Sequence, residues 1–336
     1  MNLESLYKLG VTIGIENDPR GKEGVQRDLG LSKKTYEALK DSEKDYFDTV
    51  SLWNPYPDSR LQAVKDPDAD IRELMVGIDI GTAELLLADK LKEKGTRIDA
   101  VLSHHPGGMG TVGLPKVMAM QADILALLGV PINIAEDIVS PRQKEVDQAI
   151  FATNHYATAD AAKLLGITLF SLHTPADNCV VTFLDKTFKE KDPKTIGDLL
   201  EVISAIPEYD IAKRRGLPSK LEAGSPSKRC GKIAIDMTGG TTGSKDQYEA
   251  LANAGIGTMV VMHIPKDHVE IAQKYHLNVI NVGHMASDSL GMNIILDRFE
   301  QNGVKLTIMS GLIRINRNSG DPYADLRCPM PSSYIK

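Results

Sequence analysis

The sequence predicts an α/β protein: two related α/β halves with parallel-rich sheets facing a shared crevice, preceded by a mostly helical N-terminal extension. Three observations carry this prediction. A strand–helix–strand unit over residues 74–103 has links short enough to require a parallel crossover, and a second such unit runs over 232–263. The chain of 336 residues also exceeds the ~250–300 at which one hydrophobic core usually stops growing.

Residues 1–72 are polar and interrupted, with short helical stretches such as 32–42 and a Pro/Asp-rich run at 54–70; they read as an extension packed on the main body. The first half, 73–185, opens with LMVGIDI (74–80), a β-rich run too short for a helix. In TAELLLADKLKEK (82–94), Leu85, Leu86, Ala88 and Leu91 recur at helical spacing, and Gly95 is placed as the stop. The apolar run 98–103 is the next strand. Residues 115–128 and 139–165 read as largely helical, so an insertion at about 109–166 separates that strand from another at 168–173. A connecting segment, 186–229, holds a helix at 194–205 and a Gly/Ser/Pro/Lys stretch at 214–229 that reads as an exposed link. The second half and tail, 230–336, contain KIAIDM (232–237), a helix at 244–253 stopped by Gly255, and GTMVVMH (257–263). Strands at 277–282 and 306–315 follow, then a Pro/Ser-rich tail at 328–336.

The two strand–helix–strand units share landmarks. Asp79 and Asp236 each follow an Ile near a strand end, Gly95 and Gly255 each follow the helix, and His104 and His263 each end the second strand. The spacings are nearly equal, which reads as a weak internal duplication, although any two such units share a generic pattern.

Composition narrows the function classes. The chain is 42% hydrophobic and 25% charged with a formal net charge of −6, so it lacks the basic surplus of a general nucleic-acid binder. No apolar stretch approaches the ~20 residues of a membrane span, and MNLESLYKLG is not a secretory leader. Cys179, Cys230 and Cys328 are scattered and odd in number, fitting packing residues in a reducing cytoplasm.

Chemistry-bearing residues gather at strand ends. His104 and His105 close an apolar run and precede Pro106 and two glycines; paired imidazoles there pack poorly but ligate metals well. LHTPAD (172–177) and VGHMASD (282–288) follow two further strands. In a parallel sheet, residues just past the strands lie along one crevice. His104, His105, Asp177, His284 and Asp288 would then supply three imidazoles and two carboxylates, enough for two closely spaced divalent cations with positions left for water. With no cysteine among them, Zn, Mn, Fe or Co is expected. His284 and Asp288 share a face if a helix begins near Gly283. Asp79 and Asp236 either orient imidazoles or cap the helices that follow them. His155, His268 and His276 are given no role, and only the internal repeat places His263 at the crevice.

HHP after one strand, HTxxD after a second and GHxxx-carboxylate near the C-terminus, in this order, resemble the NIF-three-like family, also called GTP cyclohydrolase I type 2-like proteins. The resemblance implies two α/β halves binding two metals between them, and a homo-oligomer, often a hexameric toroid of dimers. Motif by motif it carries ligand roles to His104, His105, Asp177, His284 and Asp288. It makes His173 of HTPAD a neighbouring catalytic group that orients water or substrate. The implied activity is hydrolysis of a nucleotide or phosphate-bearing small molecule by a water held between the metals; the alternative is a metal-stabilised scaffold or regulatory interaction ring without turnover. The chain departs from the pattern in three respects: Asp288 stands where the family usually has Glu, the stretch from His105 to His173 is long, and residues 1–72 have no evident counterpart.

Two phosphate-loop lookalikes complete the reading. GIDIGT (77–82) resembles the first loop of actin-like kinases, but there the loop joins two antiparallel strands, whereas a helix follows here. GGTTGSK (239–245) resembles a P-loop, yet Asp246 stands where Ser or Thr should hold Mg²⁺. The backbone of Gly239, Gly240 and Thr241, read as lying just before a helix, is kept as a candidate cradle for a substrate anion.

Overall fold

A computed structural model describes residues 1–319. Helices α1 (Leu3–Glu16), α2 (Gly21–Ala38) and α3 (Asp41–Lys44) lead to strand β1 (Leu61–Ala63). The first α/β unit is β2 (Glu73–Gly77), α4 (Thr82–Glu93) and β3 (Ala100–Ser103). Four helices follow: α5 (Met109–Val117), α6 (Met120–Leu128), α7 (Ile132–Phe151) and α8 (Ala157–Leu164). Next come β4 (Leu169–Ser171), α9 (Thr174–Lys191), α10 (Ile196–Ser204), α11 (Pro207–Arg214) and β5 (Lys220–Ala223). The second unit is β6 (Lys232–Asp236), α12 (Gln247–Asn253), β7 (Ile256–Val261), α13 (Lys266–Lys274) and β8 (Asn278–Asn281). Helix α14 (His284–Gln301) and β9 (Lys305–Ile308) complete the described chain.

Two sheets form, in the orders β1-β4-β3-β2-β9 and β5-β8-β7-β6. Each is parallel except for its first strand, β1 or β5, which runs antiparallel at one edge. The α/β class and the two parallel-rich sheets therefore match the expectation. In β3 every residue is buried, as befits an inner parallel strand covered on both faces.

The register strengthens the duplication. Leu61 pairs with Phe170 and Ala63 with Leu169 across a bulge; Leu221 pairs with Ile280 and Ala223 with Val279 across the same bulge. The edge strands share a sequence as well, DSRLQA (58–63) against PSKLEA (218–223). One correction follows. Gly77, Ser103 and Ser171 form the last paired row of one sheet, and Asp236, Val261 and Asn281 that of the other. His263 is thus the counterpart of His105, not His104, and Asp236 corresponds to Gly77, not Asp79.

The halves share helices α9 and α14. Helix α9 sends Ala176 and Cys179 into the core of the first sheet and Val180 and Leu184 into that of the second. Helix α14 likewise gives Ile295 and Phe299 to one and Ala286 and Leu290 to the other. Each large side chain removed from water contributes about 1.5–3 kcal/mol, so both cores hold this pair in place.

Sheet connections cross the divisions expected at residues 72, 185 and 229. From the 1–72 extension, β1 joins the first sheet, and Leu3, Leu6, Tyr7 and Tyr56 lie in its core. The 214–229 link contains edge strand β5. The last strand is shorter than expected, because Ser310 (φ 46°) and Gly311 (φ 79°) turn the chain after Ile308. That strand, β9, returns to the first sheet beside β2. The helical insertion is present, but α6 and α7 cover the second sheet, placing Leu125 and Val139 against Tyr248 and Met259. Cys179 and Cys230 are buried free thiols; Cys328 and the 328–336 tail lie outside the described residues.

Met109–Leu128 was not expected to pass for a membrane span, yet it is long and apolar enough by composition, with a mean hydropathy of 1.3. The chain breaks it at Met118–Ala119 into α5 and α6, nine residues each. Neither piece reaches the ~20 residues needed to cross a bilayer.

Candidate metal centre

Gly77, Ser103 and Ser171 end their strands side by side, and the residues after them converge. His104 and His105 leave β3, and His173 leaves β4 one residue before α9, whose first turn carries Asp177. Gly283 (φ 99°) makes the sharp entry into α14, so His284 and Asp288 share a face one turn apart, as the sequence implies.

Three imidazoles are locked in the same sense. His104 Nδ1 lies 3.2 Å from the Leu172 carbonyl, His105 Nδ1 2.6 Å from Asp79 Oδ1, and His173 Nδ1 2.8 Å from Asp58 Oδ2. A carbonyl only accepts, so His104 Nδ1 carries a proton, and in the neutral ring this leaves Nε2 as the ligand atom. Those Nε2 atoms face two buried carboxylates. His104 Nε2 is 3.6 Å from both Asp177 Oδ1 and Asp288 Oδ1, and the His105 and His284 Nε2 atoms are each 3.4 Å from Asp288 Oδ2. His173 Nε2 stands 3.9 Å from Asp177 Oδ2.

The cluster fits a metal on its own polar atoms. His104 Nε2 and both oxygens of Asp288 are buried without a hydrogen-bond partner, a costly arrangement for protein alone. Three ligand groups can be drawn, each with atoms within 4.8 Å of one another: His104, His105 and His173; His105, His284 and Asp288; and His104, Asp177 and Asp288. These groups are able to hold metal ions, and Asp288 belongs to two of them.

The electrostatics reflect the crowding. Burial works against the charge of Asp288, but His104, His105 and His284 overcome it and hold the carboxyl far below its usual range. Burial pushes Asp177 up to about 6, with Asp288 and Asp58 adding to the effect. His284 falls to about 4 through burial and the neighbouring imidazoles, despite Asp288. Burial opposes protonation of His105, yet Asp288 and Asp79 raise it.

All six sequence-predicted side chains, His173 included, therefore meet at one place. Asp79 orients an imidazole and does not cap α4, whose Gly81 N–H donates instead to Glu84. Asp236 is half-buried and accepts from Gln247 of α12. Gly240 and Thr241 line the same crevice, but the expected helix N-terminus beside them is absent. Gly239 and Gly240 take φ 94° and 90°, Gln121 Nε2 clamps the carbonyls of Gly239 and Thr241 at 2.7 Å each, and α12 starts only at Gln247. Asp58 escaped the sequence reading. It belongs to the Pro/Asp-rich run assigned to the extension, and its only signal is its place just before the edge strand that meets β4.

No family model matches the chain, and no curated protein does. Among solved structures, a NIF3 superfamily protein from Sphaerobacter thermophilus is 27% identical with a TM-score of 0.69, covering 85% of this chain and 98% of that one. The chain is NIF3-like in fold and sequence. Reduced HcgD from Methanocaldococcus jannaschii (17% identity, TM-score 0.46, 74% and 87% covered) is a looser likeness. So is a Bacillus cereus protein related to NIF3 (9%, 0.40, 88% and 97%), and neither adds to the argument. In this NIF3-like chain the crevice opens from the cluster into a cavity of about 300 Å³ between the two halves.

Proposed function

We propose that the crevice holds two divalent cations, Zn, Mn, Fe or Co, and that the protein is a metal-dependent hydrolase of a nucleotide or other phosphate-bearing small molecule. Asp288 carries this reading: its two unpaired oxygens belong to one ligand group with His104 and Asp177 and to another with His105 and His284, so it is placed to be shared. Cations held there would polarise a water near neutral pH and supply positive charge against a developing oxyanion. The protein supplies the geometry. Leu172 O and Asp79 keep the His104 and His105 rings turned inward, and Asp58 fixes His173 so that its Nε2 can orient substrate or move a proton. No lysine or arginine lines the crevice among the described residues, so a substrate phosphate would be met by the cluster itself. Opening of the GTP purine ring, the reaction in the family's alternative name, belongs to this class of hydrolysis. Buried free thiols at Cys179 and Cys230 support a reducing, cytoplasmic setting.

A scaffold or interaction ring without turnover is the second reading. Phe151 and Leu164 of the insertion are 90% and 89% exposed, which suits burial in a homo-oligomer, a hexameric toroid included, or against another protein. Turnover separates the two. Metal-loaded protein is to be screened against nucleotides and phosphoesters; the hydrolase reading expects a reaction that a chelator abolishes and His105→Ala removes. If metal removal lowers only the melting temperature, and nothing is turned over, the scaffold reading stands.

A further inference from the structure

Away from the metal ligands, the crevice is lined by apolar Leu114, Ile150, Met237 and Val261 and by polar groups that include Asp236 and Thr238, at and just after the end of β6, and the Thr242–His263 pair, Oγ1 to Nδ1 at 3.2 Å. The direction of every hydrogen bond at Thr238 can be deduced. Asn178 Nδ2 lies 3.2 Å from the Gly14 carbonyl, which only accepts, and 3.1 Å from the Tyr56 hydroxyl. That fixes the Asn178 amide with Oδ1 towards Thr238, 2.6 Å away, so the Thr238 hydroxyl must donate its one proton there. Tyr56 in turn is anchored on Asp18, itself paired with Arg20. What Thr238 has left for the crevice is lone pairs. Asp236 offers the same. Its Oδ2 accepts from Gln247 Nε2 at 3.0 Å, and among the described residues no protein group donates to Oδ1.

Two acceptors thus stand two residues apart between apolar walls. This chemistry disfavours a phosphate, which would face a carboxylate with no lysine or arginine lining the crevice among the described residues, and suits a flat apolar body carrying N–H donors on one edge. We propose that this end of the crevice recognises the amino- or amide-bearing edge of an uncharged heterocycle, with Asp236 and Thr238 as the specificity-determining acceptors. The assignment rests on the hydrolase reading, because it places this edge while the reacting group lies at the cluster. A volume of about 300 Å³ is at the lower end of small-molecule pockets and accommodates one ring system at a time.

Matched nucleosides test it, each pair differing by one amino group: adenosine against purine riboside, and guanosine against inosine. Binding to metal-loaded protein is to be measured by calorimetry, with metal content determined on the same sample. In at least one pair, loss of the amino group should weaken binding about 10-fold or more, because the acceptors are left unpaired. Asp236→Asn should cancel that preference while metal content and melting temperature stay at wild-type values. Equal affinity within both pairs, a preference that survives in Asp236→Asn, or no nucleoside binding by fully metallated protein would overturn the proposal and leave the metal site standing. Protein that takes up no metal would instead overturn the reading beneath it.

Discussion

The His173 imidazole and the Asp58 carboxylate form a buried pair, Nδ1 to Oδ2 at 2.8 Å, although Asp58 belongs to the N-terminal extension and lies 115 residues before His173. The same Asp58 oxygen accepts from Thr174 Oγ1 at 2.6 Å, and Ser59 Oγ accepts from the His173 backbone N–H at 2.9 Å. The segment before β1 therefore sets the orientation of a crevice residue, which makes the N-terminal region part of the site.

Asp58→Asn keeps the shape but removes the charge that fixes the ring. Partners of this kind typically account for 10–100-fold in metal affinity. Chelator competition should show a loss of about that size, with the Asp79→Asn variant behaving similarly through His105. An unchanged affinity in Asp58→Asn would separate His173 from the metal centre.

The pair also makes the metal-free protein sensitive to pH. Burial opposes a charged His173, but Asp177 and Asp58 outweigh it and raise the group to about 9. Burial likewise opposes the charge on Asp58, and His173 lowers it nonetheless. Because the folded value for His173 lies above the ~6.5 of a free imidazole, its contribution is complete below that pH and is lost as pH climbs through 9. The urea midpoint of chelator-treated protein should fall between roughly pH 7 and 9.5, and His173→Gln should flatten the fall. A midpoint that rises over this window would contradict the pairing.

Asp177 and Asp288 are brought together by close contact between α9 and α14. A Cβ on Gly291 would collide with the Ala176 carbonyl and come within 2.8 Å of Val180 Cγ2. Gly291→Ala should therefore cost about 1–3 kcal/mol by forcing the helices apart. The same variant should weaken metal binding, since both carboxylates ride on those helices. Denaturation and chelator competition on one preparation check both effects. Wild-type values in both would show that the helix spacing is slack.

Much of this was legible in the sequence because its signals are local. Buried parallel strands such as AVLS, glycines that stop helices and His or Asp placed just past strands are readable one segment at a time. The position of Asp288 one helical turn after His284 needed only the helix start at Gly283. Long-range pairings were not readable. Nothing in residues 54–70 tells that Asp58 will meet His173, and nothing in the last strand tells that it returns to the first sheet. Strand β5 was hidden by the Gly, Ser, Pro and Lys around it, since an edge strand four residues long carries almost no periodicity. The Gly239–Thr241 turn misled for a related reason: its shape is set by Gln121, a residue far away in sequence.

Elemental analysis decides whether the His/Asp cluster holds metal. Wild-type protein and a His104→Ala/Asp177→Ala variant would be purified side by side, loaded with a divalent metal, desalted and measured for metal per chain. About two ions are expected in the wild type if Asp288 serves both ligand groups, and a loss of bound metal is expected in the folded variant. Equal metal content in the two proteins would contradict it.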